Sequence, residues 1–143
     1  MKFDSGLDSA RVALKLGLGG AAFLAGLDKY FNVLADWPAY VSPVATGLLP
    51  LSPETLMHLV GPIEMAVGIL ILSSWTRLGS YVAAAWLVLI ALNLVTTGRF
   101  FDVAVRDIEM AIAAYALARL TEARFASVGA ADVAGSNRIG VAA

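Results

Sequence analysis

Residues 53–73 read PETLMHLVGPIEMAVGILILS. Ser52 precedes Pro53 and Glu54, and a serine cap, a first-turn proline and an early acid together start a helix. From there the chain is almost wholly apolar for about 20 residues, the length of helix that crosses about 30 Å of hydrocarbon. The run has no period-2 alternation, so it reads as helix and not as strand. One carboxyl group, Glu64, sits well inside it. Insertion scales place a lone Asp, Lys or Arg at the middle of a membrane helix at about 2.5–3.5 kcal/mol. A helix of this kind belongs in lipid, and its acid needs a base to meet there.

Three more runs of the same character flank it, at 10–34, 76–96 and 102–120. They are rich in Ala and Leu and lack strand periodicity, and Asp102 is placed to cap the last. The sequence therefore predicts an all-α protein, a transmembrane four-helix bundle over residues 1–125 with a flexible tail over 126–143. The link between residues 73 and 76 is short enough to force an antiparallel hairpin, and the 97–101 link is short too. Residues 35–52 form a longer, proline-rich loop with Trp37 and Tyr40, suited to the membrane interface, with room for a short helix over 43–50.

Composition agrees. The chain is 59% hydrophobic and 15% charged, against about 45–50% and about 25% in soluble domains. A chain this small cannot bury that excess, so lipid is the expected partner. Net charge is −1 and no basic, aromatic-interleaved patch occurs, which argues against nucleic acid. With no cysteine, disulfides and thiolate chemistry are excluded. Asp4 and Asp8 spoil a positive leader, so the first run reads as a retained span and not as a cleaved signal. Lys2, Arg11, Lys15, Arg77, Arg119, Arg124 and Arg138 would share one side, against Lys29, Arg99 and Arg106 on the other. That split places the amino and carboxyl termini in the cytoplasm.

The ionisable residues at membrane depth carry the functional signal. They are Asp28 and Lys29 late in the first run, His58 and Glu64 in the second, and Arg106, Asp107 and Glu109 early in the fourth. The topology brings all of them to the outer half of the bundle. Gly19, Ala22, Gly26 and Lys29 share a helix face, as do Gly61, Glu64 and Gly68, and small residues let backbones approach closely in lipid. The expectation is a Lys29–Glu64–Arg106–Asp107 network with Asp28 and Glu109 beside it. Asn93, Thr96 and Thr97 can add hydrogen bonds. The network reads as a clasp that fixes helix register, as a binding or proton-relay pocket, or as a contact surface for another subunit.

His58 and Glu54 stand four apart, but no second histidine or cysteine completes a metal site. No phosphate loop, dinucleotide fingerprint or nucleophile elbow occurs, and Ser, His and Asp form no triad pattern. Catalytic residues are therefore not assigned. Trp37, Trp75 and Trp86 read as interface anchors and packing residues.

Gly26-Leu27-Asp28-Lys29, then Gly61-Pro62-Ile63-Glu64 with Gly68, then Arg106-Asp107, in that order on successive spans, resemble the DoxX and DoxX-like membrane proteins. The resemblance covers residues 12–120. It implies a four-helix bacterial inner-membrane protein associated with membrane redox systems, the family name coming from a subunit of a thiosulfate:quinone oxidoreductase. It carries over Lys29, Glu64, Arg106 and Asp107 as pattern positions and no catalytic residue. The leading expectation is an accessory, non-catalytic subunit of a quinone-linked system, with redox subunits as partners, no resident cofactor, and contact with quinone. The alternative is a small-molecule binder or transporter with a charged pocket in the outer half, for which a homo-oligomer would be needed.

Overall fold

The computed structural model describes residues 5–140. In chain order the elements are α1 (Ser5–Asp28), a 3-10 turn (Trp37–Tyr40), α2 (Pro43–Leu48), α3 (Pro53–Leu72), α4 (Thr76–Thr96) and α5 (Phe101–Gly140). No strand occurs among the described residues. α1, α3 and α4 are each long and apolar enough to cross a membrane. α5 is the most charged of the long helices: Asp102, Arg106, Asp107 and Glu109 crowd its start, and Arg119, Glu122 and Arg124 come later.

The starts of α2 and α3 obey local chemistry. Ser42 and Ser52 each accept a hydrogen bond from the backbone N–H three residues on, at 3.1 and 3.2 Å, with proline next in the chain. Pro62 lies inside α3 and has no N–H to offer the His58 carbonyl four residues back. The Tyr30 hydroxyl donates to that carbonyl at 2.9 Å, and the two rings stack at 5.0 Å. A polar group freed by the proline is thus satisfied from the turn that follows α1.

α1 packs along α3 and α4 along α5, and contacts of α3 with α4 and of α1 with α5 join the two pairs. Glycine sets the α1–α3 distance. A Cβ on Gly26 would lie 2.5 Å from the Gly61 carbonyl oxygen, and one on Gly68 would lie 2.7 Å from that of Gly19. The α3–α4 hairpin is equally tight, since a Cβ on Gly79 would meet the Ile71 nitrogen at 2.6 Å. Thr76 closes the hairpin by donating to the Ile71 and Ser73 carbonyls, each at 2.9 Å. One small core gathers Val67, Ile71, Ala83, Ala114 and Leu117, and a second gathers Ala91, Leu94 and Ala104.

The distribution of polarity is the reverse of a water-soluble bundle. Leu16, Leu24, Leu92 and Ile112 are about three-fifths exposed, while Lys29, Glu64, Asp107 and Ser80 are buried. Large apolar side chains cover the outside of the helices, as a lipid-facing surface requires.

Three sequence expectations change. The first helix ends at Asp28 and not near residue 34, because the Asp28 carboxylate captures the N–H groups of Val33 and Leu34 at 3.1 and 2.8 Å. Asn32 turns the chain with φ 52°. Asp102 lies in the first turn of α5 and does not cap it, since the helix opens at Phe101. The backbone of residues 126–140 continues α5 past the expected helix end at residue 120 and into the expected tail. The last three residues of that expected tail lie outside the described residues.

Gly26→Ala should push α1 from α3 and cost about 1–3 kcal/mol, as overpacking does. Gly17→Ala, where a Cβ meets nothing within 4 Å, should be neutral or stabilise by up to about 1 kcal/mol. Thermal unfolding in detergent reads both.

Candidate functional site

Lys29 is the first residue past α1, and Gly26 one turn earlier brings its backbone against Gly61. Three residues after Gly61, Glu64 points into the same interface. The Lys29 ammonium donates to Glu64 Oε2 at 2.5 Å, and the two residues are 3% and 7% exposed. The pair is therefore withdrawn from both water and lipid. Breaking such a pair from one side leaves an uncompensated charge, at a typical cost of about 3–5 kcal/mol.

Aromatic groups wall it in. The Trp37 ring lies over the Lys29 ammonium, 3.8 Å from the ring centroid, a cation–π contact. The Trp37 indole N–H donates to Asp28 Oδ2 at 2.8 Å. Asp28 thus holds the loop after α1, and with it the ring that caps Lys29, without joining the ion pair itself. From α4, the Trp86 indole N–H approaches Glu64 Oε1 at 3.5 Å. The interface loop is tied down alongside: Asn93 of α4 donates to the Tyr40 carbonyl at 2.7 Å and accepts from the Ser42 N–H at 3.2 Å. Thr96 and Thr97 instead bond carbonyls at the end of their own helix.

Asp107 comes from α5. The residue is buried and lies within electrostatic reach of Arg106, Glu64 and Lys29. Its position is a matter of helix geometry: Ala104, Asp107, Ala111, Ala114 and Ala118 recur at three and four residues and are all buried.

The six expected residues therefore divide. Lys29, Glu64 and Asp107 converge, and Asp28 supports them through Trp37. Arg106 and Glu109 do not join. They share a face as their spacing predicts, but that face is exposed. The cause is the 100° step between neighbours, which turns Arg106 away when Asp107 faces in. Near the helix start, an arginine reaches the interface along its own stem. His58 is exposed and stacked on Tyr30. No group of three metal-ligating side chains occurs among the described residues.

Trp37 and Trp86 were expected as anchors and packing residues, and both direct their N–H groups at site carboxylates. The signal for Trp86 was the hairpin: Glu64 and Trp86 lie eleven residues either side of Trp75 in the turn, so antiparallel pairing sets them at one depth. Trp75 itself stays exposed, as an interface anchor would.

Chemically the site is a closed ion pair with one further acid beside it. Lys29→Met should destabilise the protein by about 3–5 kcal/mol in detergent unfolding, because it strands Glu64. Arg106→Ala should change stability by less than about 0.5 kcal/mol.

Searches against protein-family models, curated proteins and solved structures found no match to this chain.

Proposed function

We propose that the chain is a DoxX-like protein of the bacterial inner membrane, crossing it four times with both termini in the cytoplasm. Its role is that of a non-catalytic accessory subunit of a quinone-linked redox system. The carrying observation is the closed Lys29–Glu64 pair. Two of the segments on which the resemblance rests, residues 26–29 and 61–64, touch there through Gly26 on Gly61 and Lys29 on Glu64. A pair filled on every side by Trp37, Trp86 and the helix backbones suits a clasp that fixes register better than a pocket that admits a ligand. Two shallow surface depressions lie elsewhere, one along α1 and one between α1 and Met110 of α5. The orientation is supported by the gathering of Arg11, Lys15 and Arg124 at the end of the bundle opposite Lys29. The fourth crossing is assigned to the first half of α5, whose buried alanine stripe packs along α4.

A second reading, a binder or transporter with a charged outer-half site, is favoured by Asp107 alone. An acid on a buried residue, within electrostatic reach of a lysine and a glutamate, is equipped to exchange a proton. In that reading Asp107→Asn abolishes proton-coupled flux while leaving the fold intact.

Affinity purification in mild detergent decides on the role. The proposal expects co-purifying redox subunits and a fall in quinone-linked respiration on deletion. Recovery of the chain alone, with respiration unchanged, contradicts it. The membrane assignment is tested separately. The protein should pellet with membranes and stay insoluble until detergent is added, and a chain left in the supernatant after ultracentrifugation contradicts it.

A further inference from the structure

Two charges of α5 stand outside the clasp. Arg106 and Glu109 are both exposed, and neither takes part in an ion pair among the described residues. Glu109 lies about 12 Å along the axis from Phe101, where α5 begins. α5 runs beside α4, itself long and apolar enough to cross a membrane, so this level is well inside the hydrocarbon. Arg106 can lift its guanidinium to the outer interface along a long stem. A glutamate has a shorter stem, and this one sits a turn deeper. Charged side chains kept at such depth face a cavity or a partner. The base nearest the clasp, Lys29, is already closed on Glu64, so the partner comes from outside the chain.

The face describes that partner. Arg106, Glu109, Ala113, Ala116 and Leu120 recur at alternating steps of three and four, the spacing of a seam between two helices. Ala113 and Ala116 are half-buried and small, which lets a second helix come close. At depth the face carries one base and one acid. Asp102, above them in the first turn, stands at the boundary with water. A face with one charge of each sign complements itself, which favours a second copy over an unrelated subunit. Two copies inserted the same way are related by a two-fold axis along the membrane normal. That axis sets each Arg106 about one turn from Glu109 of the other copy, and the pairing removes both charges from lipid together.

We propose that this face of α5 is the contact of a homodimer, held by two reciprocal Arg106–Glu109 pairs. The proposal rests on the reading in which the first half of α5 crosses the membrane. Both residues are exposed in the single chain, so substitutions there act on association and not on the fold.

The test uses the full chain in mild nonionic detergent, with association read by sedimentation equilibrium and the fold by circular dichroism. The native chain should dimerise. Arg106→Glu leaves only acids on the face at depth, and Glu109→Arg leaves only bases. Each variant alone should associate about a hundredfold more weakly, since like charges then oppose. Mixed in equal amounts, the two variants should recover the native affinity as a heterodimer, because every acid again meets a base. A pairing of Arg106 with Glu109 inside one chain gives no such recovery. The chain has no cysteine, so Ala113→Cys should cross-link two copies on oxidation in membranes. Ile112→Cys, one step around the helix, should not. A monomeric native chain, single variants that dimerise as the native chain does, or a mixture that stays monomeric overturns the proposal. Cross-linking of Ala113→Cys to a different protein alone overturns it too, giving the face to that protein. A chain that requires detergent yet stays single defeats this inference and leaves the membrane assignment standing, whereas one that stays dissolved without detergent overturns both.

Discussion

Lys29 and Glu64 can form their ion pair only because Gly26 and Gly61 let two helix backbones meet. The dependence runs both ways. Any side chain at Gly26 would strike the Gly61 carbonyl and part the charges, and any loss of the pair would leave an ion stranded in a medium that solvates it poorly. Close backbone packing supplies dispersion contact, which is what drives helix association where lipid is as apolar as the side chains. The ion pair adds what dispersion lacks, a single register. Sliding α1 along α3 by a turn would carry Lys29 away from Glu64 and the Tyr30 hydroxyl away from the carbonyl that Pro62 leaves open.

The remaining elements serve that contact from outside. Asp28 ends α1 and sets the loop, so that Trp37 lies over the lysine. Asn93 fastens the same loop to α4. The hairpin of α3 and α4 delivers Trp86 to the far oxygen of the glutamate. Few large apolar residues are fully buried, Ile71, Leu94 and Leu117 among them. The interior is made instead of alanine, glycine and hydrogen-bonded hydroxyls such as Ser80 and Thr121. Such an interior gains little from the hydrophobic effect, so its specificity comes from close fit and paired polar groups.

How far the sequence discloses this depends on the range of each interaction. The apolar runs announced their helices because length and composition are local properties, and α3 and α4 begin and end within a residue of the expected bounds. The Lys29–Glu64 pair was legible too, since the cost of burying either charge alone demands a partner. The end of α1 was not, because the Asp28 carboxylate acts on backbone five and six residues downstream, which hydropathy does not register. Arg106 and Glu109 were drawn inward by the assumption that charges at depth face the bundle. Ala113 and Ala116 continue the face of Arg106 and Glu109 at the same spacing by which Ala111 and Ala114 continue that of Asp107, so small residues alone did not choose the buried face. The pairing of Arg124 with Asp8 escaped because α1 and α5 meet there only after the bundle closes.

A double-mutant cycle on Lys29 and Glu64 tests the central claim most directly. Unfolding free energies of the native chain, Lys29→Met, Glu64→Leu and the combined variant give the coupling between the two side chains. The account predicts a coupling near the top of the usual range for groups in contact, about 2–3 kcal/mol, so that the combined variant loses that much less than the sum of the two single losses. Additive losses with no coupling would mean that the two charges do not hold the helices together.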